Sequence, residues 1–292
     1  MAQPIPLTPQ LWVLPSRAMA YNAGVLTSAG QVWLIDPGPH PDETASASTL
    51  AASLGTPVGI VLTHSHWDHI LGPERLPDLP VVAHAHFAAT LSAHQETTLA
   101  MIARWEQRFG YVRAAPFRMP RLHATIQDAQ EIVVGDLALT LLHIPGHAAD
   151  QVAIFAPSSG MLWAADTLSD TEIPLVSHSL SAYEATLARL AALPIQALVP
   201  GHGAPTTDRA EIHRRLDADR AYLDDLRRRV ARAVSAGAAV AEAVTMCATM
   251  TFRSPVANAG AHRLNVESVY LELGGDADAT QVGWAQHGLI DE

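Results

Sequence analysis

The sequence contains no lysine: all 18 cationic side chains are arginines, set against 29 carboxylates for a formal net charge of -11. An acidic chain without a basic stripe is a poor match for polyanions, because nucleic-acid binding relies on cationic side chains displacing counterions. A nucleic-acid substrate is therefore disfavoured. The single cysteine, Cys247, excludes an intramolecular disulfide and a thiolate metal cluster, and reads as a small core residue. Met1 to Arg17 lacks a basic start followed by a long apolar stretch, so neither a secretory signal nor a lipidation motif is expected there. No apolar run approaches the roughly 20 residues that a membrane span needs. Together these absences predict a cytoplasmic protein that does not enter a membrane.

What is present suits a compact enzyme: 292 residues, 49% hydrophobic and 16% charged, enough chain to bury a sizeable core. Its most informative stretch is Thr63-His64-Ser65-His66-Trp67-Asp68-His69, which follows the apolar run Val58 to Leu62. Three imidazoles and a carboxylate packed this closely after a strand-like run are hard to account for by packing alone, and read as metal ligands. A strand brings the chain in rigidly. A turn at its C-terminal end can then swing His64 and His66 toward one centre, and Asp68 and His69 toward a second. Two adjacent cations are the first hypothesis, with zinc, iron or manganese all compatible with neutral imidazole and ionised carboxylate.

Around this stretch the periodicity predicts short strands over 11–14, 24–27 and 32–36, a helix over 44–54, a strand over 58–63 and another over 80–84. Asp36, before Pro37-Gly38-Pro39, is a turn residue or a group that orients a ligand histidine. A helical stretch follows over 88–107, and 109–119 has no clear period. The region of about 94–130 is expected to be a helical insert, with Trp105, Phe109, Tyr111 and Phe117 either lining a cleft or packing the insert down. His84, His86 and His94 read as structural histidines. Strand patterns resume over 132–134 and 137–144, ending in Pro145-Gly146-His147. A hairpin over 152–165 is followed at once by Asp166, a helix over 181–193 comes next, and the strand 197–199 ends in Pro200-Gly201-His202-Gly203. Helices are expected over 211–246, interrupted near Gly237, and over 266–273. The two strand-rich blocks hint at two stacked sheets.

His64-x-His66-x-Asp68-His69, then Pro145-Gly146-His147, then Asp166 after a strand, then Pro200-Gly201-His202-Gly203, resembles the metallo-β-lactamase-fold hydrolase superfamily over roughly residues 11 to 205. The resemblance implies an α/β fold, a four-layer αβ/βα sandwich with C-terminal helices. Its catalytic domain would span 1–210, with 211–292 as a helical extension packed on the same domain. It also implies a dinuclear site, with two Zn2+ per chain, or Fe or Mn in their place. His64, His66 and His147 would hold one cation, Asp68, His69 and His202 the other, and Asp166 would bridge them. A metal-bridging hydroxide would then cleave an ester, lactone, thioester or phosphoester, with Asp68 shuttling a proton.

The substrate is expected to be a small molecule. Glyoxalase II-type thioesterases have a similar core but bind glutathione through basic residues including lysine, which this chain lacks. Lactonases of the superfamily use a tyrosine near the carbonyl, for which Tyr183 and Tyr21 are candidates. Glu172 and His178, in the stretch after Asp166, either select the substrate or structure the loop. A mononuclear iron, persulfide dioxygenase-like oxidoreductase is an alternative, and a metal-dependent nuclease a second one opposed by the acidity. A homo-oligomer is compatible with the sequence.

Overall fold

Along strand β10 (Val152–Ala156), Val152, Ile154 and Ala156 alternate with Ala153 and Phe155, and the two sets enter different cores. That is the period-two signature of a strand buried on both faces. The computed structural model describes residues 3–113 and 115–276, and in it this strand belongs to the inner pair of four layers.

One sheet has seven strands in chain order: β1 (Ile5–Thr8), β2 (Leu11–Pro15), β3 (Asn22–Ser28), β4 (Gln31–Ile35), β5 (Thr56–Val61), β6 (Val81–His84) and β7 (Ala124–Ile126). The first four pair antiparallel and β4 to β7 pair parallel. The second has five strands in the order β12 (Ala197–Val199), β11 (Met161–Trp163), β10, β9 (Leu137–His143) and β8 (Ala129–Val134), with only β11 and β12 parallel. Parallel neighbours require crossovers. Helix α1 (Pro41–Leu54) crosses from β4 to β5, α2 (Phe87–Ala93) and α3 (Gln95–Phe109) from β6 to β7, and α4 (Leu180–Ala191) from β11 to β12. Three more helices follow: α5 (Arg209–Ser235), α6 (Val240–Cys247) and α7 (Ala259–Glu272).

The layers are fixed by three apolar clusters. Leu11, Val13, Leu26 and Val61 of the first sheet meet Leu139, Leu141, Ile154 and Trp163 of the second between the sheets. Val25, Leu34 and Ile60 face outward under Ala47 and Ala51 of α1 and Phe87 and Leu91 of α2. Phe155, Leu162 and Leu198 face the other way, under Leu187 of α4, Leu223 and Leu226 of α5 and Val266 and Val269 of α7. This is the αβ/βα sandwich expected, and the C-terminal helices share one core with the second sheet. The expected extension runs to 292, and its residues 277–292 lie outside the described residues.

One local expectation is narrowed and another is met. Helical character over 94–130 is confined to α3, which stops at Gly110 in the left-handed conformation (φ 68). Pro116 and Pro120 then oppose a new helix, and Ala124–Ile126 joins the first sheet as β7. The interruption near Gly237 is present, between α5 and α6, with Gly237 at φ 66.

Candidate metal centre

The seven predicted ligands lie after the C-terminal ends of four strands: β5 for His64 to His69, β9 for His147, β11 for Asp166 and β12 for His202. Ligand-bearing loops gather at such strand ends in open α/β sheets. The two sheets are tied at this edge by the bond from Val152 N to Thr63 O at 2.8 Å. Glycines let the loops close. A Cβ at Gly146, whose φ is 137, would run into the backbone of Tyr183, and one at Gly201 would overlap Asp166 Oδ1. Asp36 and Ala165 beside the centre hold positive φ values of 41 and 47, a strain that the surrounding packing must impose.

The side chains converge in two groups, His64, His66, His147 and Asp166, and Asp68, His69 and His202, with ligand atoms within 4.8 Å of one another in each. His147 Nε2 is 2.9 Å from His66 Nδ1. Asp166 reaches both groups: its Oδ2 lies 3.3 Å from His147 Nε2 and 3.5 Å from His64 Nε2, and its Oδ1 3.2 Å from His69 Nε2. Asp68 Oδ2 is 3.1 Å from His202 Nε2.

The opposite nitrogens of these rings are tied back. His69 Nδ1 donates to Asp36 Oδ2 at 2.9 Å, His147 Nδ1 to Leu175 O at 3.1 Å, and His202 Nδ1 to Met19 O at 2.8 Å. Thr63 Oγ1 donates to Asp36 Oδ2, which leaves it free to accept from His64 Nδ1 at 3.1 Å. Each such tether fixes the tautomer and turns a lone pair toward the centre, as the outer partners of metal-bound histidines do. The buried atoms His64 Nε2, His69 Nε2 and Asp166 Oδ1 have no hydrogen-bond partner. Buried polar atoms are rarely left so, and here they fall in both ligand groups, as cation sites require.

Charge agrees with the geometry. Burial first, then the neighbouring rings of His69 and His147, hold His64 well below its ordinary value and His66 at about 3, so both are neutral at pH 7. Burial pushes the Asp166 carboxyl up, but His69, His202 and His64 outweigh it and keep it well below the carboxylate range. For His202, burial pulls down while Glu172, Asp166 and Asp68 pull up, and its pKa stands at about 10. An excess of carboxylate at this point holds protons that cations would displace.

A cavity of about 430 Å³ opens beside the centre, with His66, Asp68, His147, Asp166 and His202 on its floor. Of the predicted substrate residues, Glu172 and His178 line it. Tyr183 does not: it is fully buried beneath the site, and its hydroxyl donates to Asp166 O at 3.2 Å. Tyr21 is buried too and donates to Asp36 O. Trp105 and Phe109 pack on His40, and Trp105 on Trp67, instead of lining the cleft. The sequence reading missed Met19, Met101 and the segment 256–261, which complete the wall. They come from distant parts of the chain and carry no local signal.

A second histidine group, His84, His86 and His143, has its nitrogens within 4.8 Å as well. His84 stacks on His143 at 3.8 Å, accepts from His86 N at Nδ1 and donates to the carbonyl of Gln127, so both of its ring nitrogens are engaged.

The family model of the metallo-beta-lactamase superfamily matches residues 17–202. Among curated proteins, a probable metallo-hydrolase of Bacillus subtilis, YqjP, is 27% identical over 240 residues, covering 70% of this chain and 74% of its own. The hydroxyacylglutathione hydrolase of Mesorhizobium japonicum is 26% identical over 150 residues, with 50% of this chain and 48% of its own covered. The human acyl-coenzyme A thioesterase MBLAC2 is 30% identical over 158 residues, covering 50% and 56%. The chain thus spans about half the length of the latter two. Of solved structures, the sec-alkylsulfatase Pisa1 from Pseudomonas sp. matches with a TM-score of 0.74 at 17% identity, over 94% of this chain and 50% of that one. A metallo-beta-lactamase family protein from Thermus thermophilus matches with 0.60 at 23%, over 77% and 82%. These two likenesses concern the fold.

Proposed function

The chain belongs to the metallo-beta-lactamase superfamily, and from that premise we propose that it is a dinuclear metal-dependent hydrolase that cleaves an ester-like bond: an ester, lactone, thioester or phosphoester. The observation that carries the reading is the pair of adjoining ligand groups with Asp166 reaching both and three buried atoms left without partners. His64, His66 and His147 would hold one cation, and Asp68, His69 and His202 the other. Imidazole and carboxylate donors suit zinc, with iron or manganese as substitutes. When bound, such a pair supplies an acidified water as nucleophile and a Lewis acid for the scissile bond.

The chain's own groups do the rest. Asp36, Leu175 O and Met19 O hold the imidazoles in register through their Nδ1 atoms. Tyr183 holds the backbone of Asp166 through its carbonyl, and Gly201 leaves the space that the carboxylate occupies between the two groups. Asp68, on the cavity floor, is placed to take up a proton and return it to the leaving group. Ester and thioester chemistry is also supported by relatives named for thioester substrates.

The test is to strip the purified protein with a chelator, reload it with zinc, iron or manganese, and assay lactones, thioesters and phosphodiesters. Hydrolysis that vanishes on stripping and returns with two equivalents of metal is expected. Sulfite production from a persulfide with a single iron would replace this reading by the oxygenase alternative.

A further inference from the structure

Beyond the ligands, the cavity wall is assembled from four separate segments: Met19 after β2, Met101 with its neighbours on α3, Ile173 and Leu175 after β11, and Val256 to Ala261 where α7 begins. Val256, 95% exposed, carries the apolar wall out to the rim. Apart from Asp68 and Asp166, which the cations would engage, the charged group of the lining is Glu172; among the described residues no arginine lines it, and the sequence has no lysine to offer. Arg253, close behind the wall, is committed elsewhere: its guanidinium donates to Ser169 O and Glu172 O and pairs with buried Asp219. The remaining polar groups of the lining include the uncharged hydroxyls of Thr90, Thr97, Thr98 and Ser177 and the imidazoles of His94 and His178, the latter with its pKa lowered by burial.

We infer that this cavity takes uncharged alkyl or acyl chains, so that the substrates are esters and lactones with an apolar chain and no anionic group beyond the scissile bond, and polyanionic thioesters of the coenzyme A kind are excluded. The inference rests on the hydrolase reading and narrows it. A carboxylate or phosphate held against this wall, away from the metal centre on the floor, would lose water without gaining a cation, and would meet Glu172 at 46% side-chain exposure. A methylene entering the same wall gains by leaving water. Glutathione and coenzyme A carry anionic groups, for which this wall offers no cation.

The test uses the full-length, zinc-loaded protein at pH 8, where an ordinary imidazole is uncharged. The probes are 4-nitrophenyl esters from acetate to octanoate, the matching monoesters of dicarboxylic acids, and octanoyl-coenzyme A beside its neutral N-acetylcysteamine thioester. kcat/KM should climb about three- to fourfold per methylene until the cavity is filled. A terminal carboxylate should cost about tenfold or more, and the coenzyme A ester should fall well below its neutral counterpart. Met101→Arg should flatten the chain-length series and narrow the penalty on the terminal carboxylate. A flat series in the parent protein, equal turnover of carboxylate-terminated esters, or a preference for coenzyme A would overturn the inference.

Calorimetric binding of N-alkylacetamides and their ω-carboxylates separates the two layers of the claim. If no ester is turned over but the neutral amides bind in order of chain length and ahead of the acids, hydrolysis is lost and the cavity assignment stands. If the amides show no such order, the assignment falls whatever the esters do.

Discussion

Asp36 Oδ2 lies 2.9 Å from Nδ1 of His69, and the same carboxylate accepts from the backbone N–H of Thr63 at 2.8 Å and its hydroxyl at 2.6 Å. One buried side chain thus orients a candidate ligand ring and the first residue of the histidine stretch together. Asp36→Asn keeps the shape and removes the charged acceptor. It should weaken metal binding by about 10- to 100-fold while the fold persists, because outer partners of ligand histidines contribute on that scale. Chelator competition measures it, and an affinity equal to the parent's would show that Asp36 only shapes a turn.

Gly201 supports the centre by what it lacks. A Cβ there overlaps Asp166 Oδ1, so Gly201→Ala must push the carboxylate that reaches both ligand groups. Metal content should drop to one ion per chain or fewer and hydrolysis should fall by about 10²-fold, the scale of a misplacement of about 1 Å. Circular dichroism and metal analysis on the same sample check this; unchanged metal content would mean that Asp166 is free to move.

Asn265, fully buried on α7, accepts from Val176 N at 2.7 Å and donates to Pro174 O at 2.7 Å, so it pins the loop that carries Leu175. Leu175 O in turn holds His147. Asn265→Ala leaves buried groups unpaired and should cost about 1–3 kcal/mol of stability. KM should rise with the loosened wall. Denaturant unfolding and steady-state kinetics test both halves.

Glu272 caps a helix to which it does not belong: it accepts from Leu180 N at 2.6 Å and Ser181 N at 3.1 Å, at the start of α4. Burial pushes its pKa up, but these N–H groups and the hydroxyls of Ser179 and Ser181 bring it below the ordinary 4.5. A carboxyl with a depressed folded-state pKa contributes stability that is present above 4.5 and lost as pH falls through the depressed value. Glu272→Ala should therefore cost about 1 kcal/mol at pH 7 and progressively less below pH 4.5. A penalty that does not change with pH would contradict the cap.

The cluster of histidines and aspartates was legible because it is local: four of its members lie within the stretch His64 to His69, and the others follow short apolar runs. The sheets were legible where strands are buried and alternate, as β10 is. Strand β1, with Ile5 and Pro6 exposed, and β7, with Ala124 and Thr125 exposed, have no such pattern and draw their order from the neighbouring strand. Tyr183 misled for a related reason. Its position after Asp166 suggested a group facing the substrate, whereas the helix that carries it turns the ring into the core, against Gly146. The cavity wall joins residues from 19 to 261, a juxtaposition that only the folded topology supplies.

A pair of cations held by these side chains is what the hydrolysis needs, and metal analysis of the purified protein beside Asp166→Ala is its sharpest test. Two ions per parent chain are expected, with loss of metal and hydrolysis together in the variant while its circular dichroism is retained. A parent chain that takes up no metal, or a variant that keeps both ions and full turnover, would contradict it.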